Sequence, residues 1–256
     1  MTDSGTRPGG YTIVLPPGWR RIPLRQGPEE TEKAARAAVS ASLRALPRAV
    51  PRDRLAAFRA ESEGRLRTMA AQVRKQGGVD LYLPVESMRG IPVSASFVVS
   101  EGSLGGAGAA PADPAQVVTY LAAERGDGTR TQATVDGAMA LRVEHVAGPD
   151  PAADVQATTR RVDYIVSMPG EPDRWLIVAF STLDQSGQIP DGPGTQGTQG
   201  THNGAAPDAA DDGPGNAGPG DQLAHLLVQL FDAMMATFRW TWTPAGLDAR
   251  WMTPDE

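Results

Sequence analysis

Two stretches decide the reading of this chain: Tyr11–Trp19, YTIVLPPGW, and Leu223–Trp242, LAHLLVQLFDAMMATFRWTW. In the first, residues 11–15 alternate as a short strand. Pro16, Pro17 and Gly18 end it, because proline cannot donate to a ladder and glycine permits the turn. In the second, Leu223, Leu227, Leu230, Phe231, Met234 and Phe238 recur at helical spacing and run into FRWTW, a short strand. A strand near one end and a helix plus strand near the other read as the opening and closing elements of one domain, with the rest packed between them.

Working inward from the first stretch, Trp19, Ile22 and Leu24 offer a second apolar edge. Ala35, Val39, Leu43 and Leu46 then mark a helix from Glu29, with Glu29, Glu30 and Glu32 in its first turn, where the macrodipole favours acids. Pro47 stops it. A second helix begins near Pro51, carries Leu55, Phe58, Leu66, Met69 and Val73 on one stripe, and ends at Gly77-Gly78. Residues 29–77 therefore read as a helical hairpin inserted after the opening strands.

Strands are expected at Val79–Val85 and Ile91–Ser100, joined through the Met88-Arg89-Gly90 turn. A Gly/Ala/Pro loop over 101–113 leads to a short helix, Pro114–Arg125, with Val117, Val118 and Leu121 inward. Thr131–Val135 and Ala138–Val146 flank Asp136-Gly137, a strong hairpin signal. Thr158–Met168 and Arg174–Leu183 form another hairpin across PGEPD. In its second strand Trp175, Ile177 and Ala179 alternate with Leu176, Val178 and Phe180, so that strand needs cover on both faces. The expected fold is α+β, an antiparallel sheet covered by helices. One domain spans 11–184 and 220–243, flanked by a disordered start at 1–10 and a tail at 244–256. The 185–219 tract is polar and Gly/Pro-rich, and is expected to be disordered for want of apolar surface to bury.

Composition narrows the function. The 256 residues are 40% hydrophobic but only 5% aromatic, so the core rests on Ala, Val and Leu with a few large anchors. The net charge of −6 argues against a general nucleic-acid or anionic-membrane binder. It hides an asymmetry: residues 1–77 hold 15 basic and 7 acidic side chains, while the remainder is strongly acidic. Lys33 and Lys75 are the only lysines, a bias consistent with a GC-rich genome. With no cysteine there is no disulfide, thiolate metal site or cysteine nucleophile. No signal-peptide h-region, lipidation cysteine or membrane-length apolar run occurs, so a cytoplasmic location is expected.

The strand–PPGW–strand opening, the run of hairpins and LFDAMMATFRW resemble the PsbP-like α/β sandwich superfamily, which includes Ran-binding and LpqN-type members. The likeness covers residues 11–24 and 158–242; the helical hairpin and the Gly-rich tract depart from it. It implies the sandwich fold and protein binding, and it transfers no functional residue to this chain. The missing lipobox sets it apart from the exported lipoproteins of that group.

Candidate chemistry is sparse. His145 shares strand parity with Met139, Leu141 and Val143 and reads as a packed histidine; His202 falls in the Gly-rich tract; His225 sits with Gln229 and Asp232 on the polar side of the last helix. No pair has metal-ligand spacing, and no cofactor is indicated. No G-x-S-x-G elbow occurs. Asp163, Glu171, Asp173 and Asp184 flank the 158–184 hairpin, where solvated strand-end charges are expected. GSLGGAGAA at 102–110 does not spell a phosphate cradle. The feature with most weight is the basic helical hairpin, in which Arg52, Arg59, Arg67 and Arg74 are the candidate contacts for a protein partner with an acidic surface. The leading expectation is a protein-binding module of adaptor or chaperone-like type, without catalysis. The alternative is a small-molecule binder or enzyme using a cleft between the sheet and the inserted helices. A deep pocket with converging Arg and carboxylate groups favours the alternative, and a shallow apolar patch favours docking.

Overall fold

The strand with two apolar faces fixes the architecture, because it belongs in the middle of a sheet covered on both sides. In the computed structural model, which describes residues 6–44, 52–103, 113–123, 127–148, 158–183 and 219–244, that strand is central. The elements in order are β1 (Thr6–Thr12), β2 (Trp19–Pro23), α1 (Pro28–Arg44), α2 (Arg52–Lys75), β3 (Gly78–Pro84), β4 (Ala95–Ser103) and α3 (Pro114–Ala123). There follow β5 (Thr129–Val135), β6 (Ala138–Ala147), β7 (Thr159–Met168), β8 (Glu171–Leu183), α4 (Pro219–Ala236) and β9 (Arg239–Pro244). A seven-stranded antiparallel sheet runs in the order β2-β3-β4-β8-β7-β6-β5.

One face of the sheet meets α4. Leu176, Val178 and Phe180 of β8, with Phe97 of β4 and Val162, Tyr164 and Val166 of β7, bury against Leu227, Val228, Phe231, Met234 and Met235. Phe231 is the centre of this contact: its ring stacks on Phe180 at 4.8 Å and lies 5.7 Å from Phe97 and 5.8 Å from Tyr164. The other face carries two smaller clusters. Ile22, Leu24 and Leu81 pack under Ala35, Ala38 and Val39 of α1 and Leu66 and Ala70 of α2. At the opposite end, Leu141, Val143 and Trp175 pack under Val118 of α3.

The two ends of the domain meet. β1 pairs antiparallel with β9 as a separate two-stranded ribbon, from Thr6 opposite Pro244 to Thr12 opposite Arg239. Tyr11 stacks on Phe238 at 5.4 Å, and Phe238 meets Trp240 edge-on at 4.9 Å. The strand runs from Thr6 to Thr12, starting five residues before its expected start and ending three before its expected end, so residues 6–10 are ladder and not tail and residues 13–15 are not strand. TRPGG has poor strand propensity, but pairing with β9 overrides it, and the irregular step is absorbed by a register shift between Pro8 and Gly10. Residues 1–5, 184–218 and 245–256 lie outside the described residues, and with them the expected Gly-rich tract and most of the expected tail.

Two other boundaries moved for local reasons. The Met88-Arg89-Gly90 turn exists, with Arg89 at φ 51° and Gly90 at φ 82°, but it closes a bridge between Met88 and Ile91 inside the β3–β4 connection. β4 itself starts only at Ala95. The β7–β8 hairpin closes tightly at Pro169-Gly170, with Gly170 at φ 76° and Met168 opposite Glu171, so EPD is strand and not loop. Asp136-Gly137 turns β5 into β6 as expected, at φ 48° and 78°. α1 and α2 pack on each other and on the β2–β3 end of the sheet.

Candidate functional site

Trp240 and Trp242 alternate along β9 and so face the same way, and Phe238 immediately precedes the strand. Phe238 and Trp240 are buried, and Trp242 is 51% exposed, because the core ends before the strand does. Its indole forms one side of an open groove of about 600 Å³. The other sides are the Asp136-Gly137 turn with Met139, the Met168-Pro169-Gly170 turn, and the first residues of α3, Asp113 and Pro114. Two hairpin tips, a helix start and a strand end therefore converge at one end of the sheet.

The two carboxylates of the groove hold its walls. Asp113 accepts from the backbone N–H of Ala115 at 3.0 Å through Oδ1, capping α3. Asp136 accepts from the backbone N–H of Trp240 at 2.8 Å and lies 3.7 Å from Arg239 Nε, which ties the β5–β6 turn to β9. Its left-handed backbone is one that Asp tolerates. The charged residues lining the groove are both acids, and apart from Ser167 the rest of the lining is Ala, Gly, Met, Pro and Trp. Such a site can hold an apolar side chain. It offers no nucleophile paired with a base.

Two further polar clusters sit inside the sandwich. In the first, Arg21 Nε donates to Asp80 Oδ1 at 2.8 Å, the Tyr11 hydroxyl donates to the other oxygen of Asp80, and the Tyr11 and Tyr82 hydroxyls are 3.1 Å apart. Asp80 is 1% exposed, and burial pushes its carboxyl above the ordinary value against the pull of Arg21. Burial likewise raises Tyr11 and Tyr82, reinforced by the neighbouring Asp80. In the second, Arg142 makes a two-pronged contact with Asp232 of α4 at 3.0 Å in both arms and reaches Glu144 at 2.9 Å. Tyr164 donates to Asp232 at 2.9 Å, and Arg160 links Glu144 at 3.3 Å to Asp221 at 2.7 Å. Both clusters join elements distant in sequence and have their donors and acceptors matched, so they read as clamps. Asp232, expected on the solvent side of the last helix, is instead part of the α4–sheet contact.

The four arginines expected to contact a partner have spacings that place them on one flank of α2. The structure brings Arg67 and Arg74 together at a cleft of about 110 Å³ between α1 and α2, beside Thr31 and Glu32. Arg67 is engaged there, donating to Glu32 at 2.9 Å. Arg59 is exposed two turns toward the start of the helix, and the side chain of Arg52 lies outside the described residues. Among the described residues neither Arg59 nor Arg74 makes an ion pair. His145 is half-buried on β6 and packs against Gly128, where a Cβ would stand 2.7 Å from the imidazole. His225 is within 3.1 Å of Gln229, and His202 lies outside the described residues. Asp163 pairs with Arg161 at 2.9 Å in mid-strand, while Glu171 pairs with Arg174 at the hairpin tip, so those carboxylates do not form one site. Asp173 is exposed and Asp184 is not described. Among the described residues no three His, Cys, Asp or Glu side chains form a metal-binding group. No described helix is long and apolar enough to cross a membrane.

The groove escaped sequence reading because its parts lie far apart in the chain. The available signal was the third aromatic of the Phe238, Trp240, Trp242 alternation, one more than the end of a small core can hide. No protein-family model matches the chain, and no curated protein matches its sequence.

Proposed function

We propose that this chain is a protein-docking module, a PsbP-like α/β sandwich carrying the α1–α2 pair as an insertion between its opening strands and the rest of the sheet. The observation that carries the reading is the groove at Trp242: a large aromatic left half-exposed beside Met139, Met168 and Pro169, open to solvent and free of catalytic pairs. Exposed aromatics in shallow apolar grooves are the usual anchors of protein interfaces. The rival, a ligand site between sheet and helices, has less support. The cleft beside these helices, about 110 Å³, lies between α1 and α2 with no sheet residue in its lining, and it is below the several hundred Å³ of ordinary ligand pockets.

A display library of random peptides panned against the folded protein tests the reading. Peptides with an apolar anchor are expected to be selected, and Trp242→Ala is expected to weaken them about 10-fold or more. Selection of peptides indifferent to Trp242→Ala removes the groove as the docking site. A second contact is favoured by Arg59 and Arg74, two cations on one flank of α2. An acidic protein surface held there is released as salt rises, whereas apolar anchoring at Trp242 is not.

A further inference from the structure

The seven-stranded sheet has two edges, and they are built differently. β2, WRRIP, has five residues, carries Arg20 and Arg21, and ends in Pro23. Short length, charge and proline are the means by which sheet edges avoid pairing with other chains. β5, TRTQATV, has seven residues, one charge and no proline, and it pairs with β6 without a register shift from Thr129 to Val135. It is also rich in β-branched residues, which favour the extended state. The protection present at one edge is missing at the other.

The turn sets which backbone groups point outward. Val135 and Ala138 flank the two-residue Asp136-Gly137 turn and so form the hydrogen-bonded pair that closes it. Residues 131, 133 and 135 therefore direct their N–H and C=O groups to β6, and the alternate residues, including Gln132 and Thr134, direct theirs away. No described strand pairs with that outer edge. Gln132, with its outward backbone, is the midpoint of the strand.

We propose that the protein forms a two-fold dimer in which β5 pairs antiparallel with β5 of a second copy, making one continuous sheet. A two-fold axis between antiparallel strands needs a symmetric pair at the midpoint, and Gln132 opposite Gln132 of the second copy supplies a hydrogen-bonded one. This register engages every position of the strand. It sets Arg130 opposite Thr134 and Thr131 opposite Ala133, so the one charge of the strand never meets its own copy. A foreign strand would find threonine and alanine here without a pocket to recognise, whereas a second copy matches in length, hydrogen-bond parity and charge.

Analytical ultracentrifugation of the full chain tests this, with Gln132→Lys and Gln132→Glu as variants. The position is exposed, its amide reaching only Thr119 Oγ1 at 3.5 Å, so both are expected to keep the wild-type circular dichroism spectrum. The wild type is expected to be a dimer, and each variant alone to dimerise at least about 10-fold more weakly, since like charges then face each other across the axis. An equimolar mixture of the two variants is expected to recover the dimer, as Lys meets Glu. A wild type that stays monomeric at its highest soluble concentration overturns the proposal. So does a dimer indifferent to both substitutions, a mixture that remains monomeric, or a dimer lost only on Trp242→Ala, which would place the contact at the groove.

Discussion

Asp80 is the residue whose environment makes the sharpest statement. Its folded carboxyl is raised, chiefly by burial, above the roughly 3.9 of an unfolded Asp. A raised carboxyl contributes stability that is present in full below the unfolded value and is lost as pH rises through the folded one. The stability of the wild type relative to Asp80→Asn, measured by urea unfolding, is therefore expected to fall as pH is raised from acid toward neutral. A difference that grows with pH would mean that the Arg21 pair outweighs burial. Phe231, fully buried against three rings, is expected to cost about 3–5 kcal/mol on change to Ala, and His225 on the exposed side of the same helix less than about 0.5 kcal/mol. Equal costs would show that the faces of α4 are misassigned. The Phe231 side of this comparison was legible from helical periodicity. Asp80 was not, since in sequence it is one polar residue in a strand, and its partners Tyr11 and Arg21 lie some sixty to seventy positions earlier.

Among elements, α2 is uneven along its length. Leu66 and Ala70 are buried, whereas Phe58 is 51% exposed, and the described residues from Arg54 to Glu61 are exposed except the half-buried Leu55. Native-state hydrogen exchange is expected to be faster across Arg54–Glu61 than across Leu66–Val73, because local opening there exposes little apolar surface. Uniform protection along the helix would contradict this. α4 is held from the side by the Arg142–Asp232 pair as well as from below by its apolar stripe. Asp232→Ala leaves Arg142 with Glu144 alone and takes the acceptor from Tyr164, and is expected to cost about 1–3 kcal/mol in urea unfolding; a neutral result would show that the pair is solvated and idle. The apolar stripes of both helices could be read from spacing. The periodicity did not disclose that Phe58 and Met69 of the α2 stripe are exposed, since periodicity records which residues share a face and not whether anything lies opposite.

At the scale of the whole molecule, the apolar clusters on the two faces share the strands of one sheet: β3, β4 and β8 each contribute side chains to both faces. Helices on either side therefore depend on the same strands. Thermal unfolding is expected to give one transition, with far- and near-ultraviolet circular dichroism coinciding and calorimetric and van't Hoff enthalpies equal. An early loss of helical signal alone would show that α1 and α2 fold apart from the sheet. The charge asymmetry of the chain also becomes spatial here, because the basic α1–α2 layer occupies one end of one face.

By itself the sequence determined the order of the elements and most of their buried faces. Periods of two and of 3.6 residues mark burial directly, Asp136-Gly137 dictates its turn through backbone preference, and the doubly apolar β8 had to be central. It also foretold that YTIVLPPGW and FRWTW belong together, although propensity alone left TRPGG out of the ladder. The tertiary structure alone decided which charges are buried partners, as Asp80 with Arg21 and Asp232 with Arg142. It also decided where the core stops short of Trp242 and which sheet edge stands open. Each of these depends on residues far apart in the chain meeting at one place, and a single sequence records local preference without recording those distances.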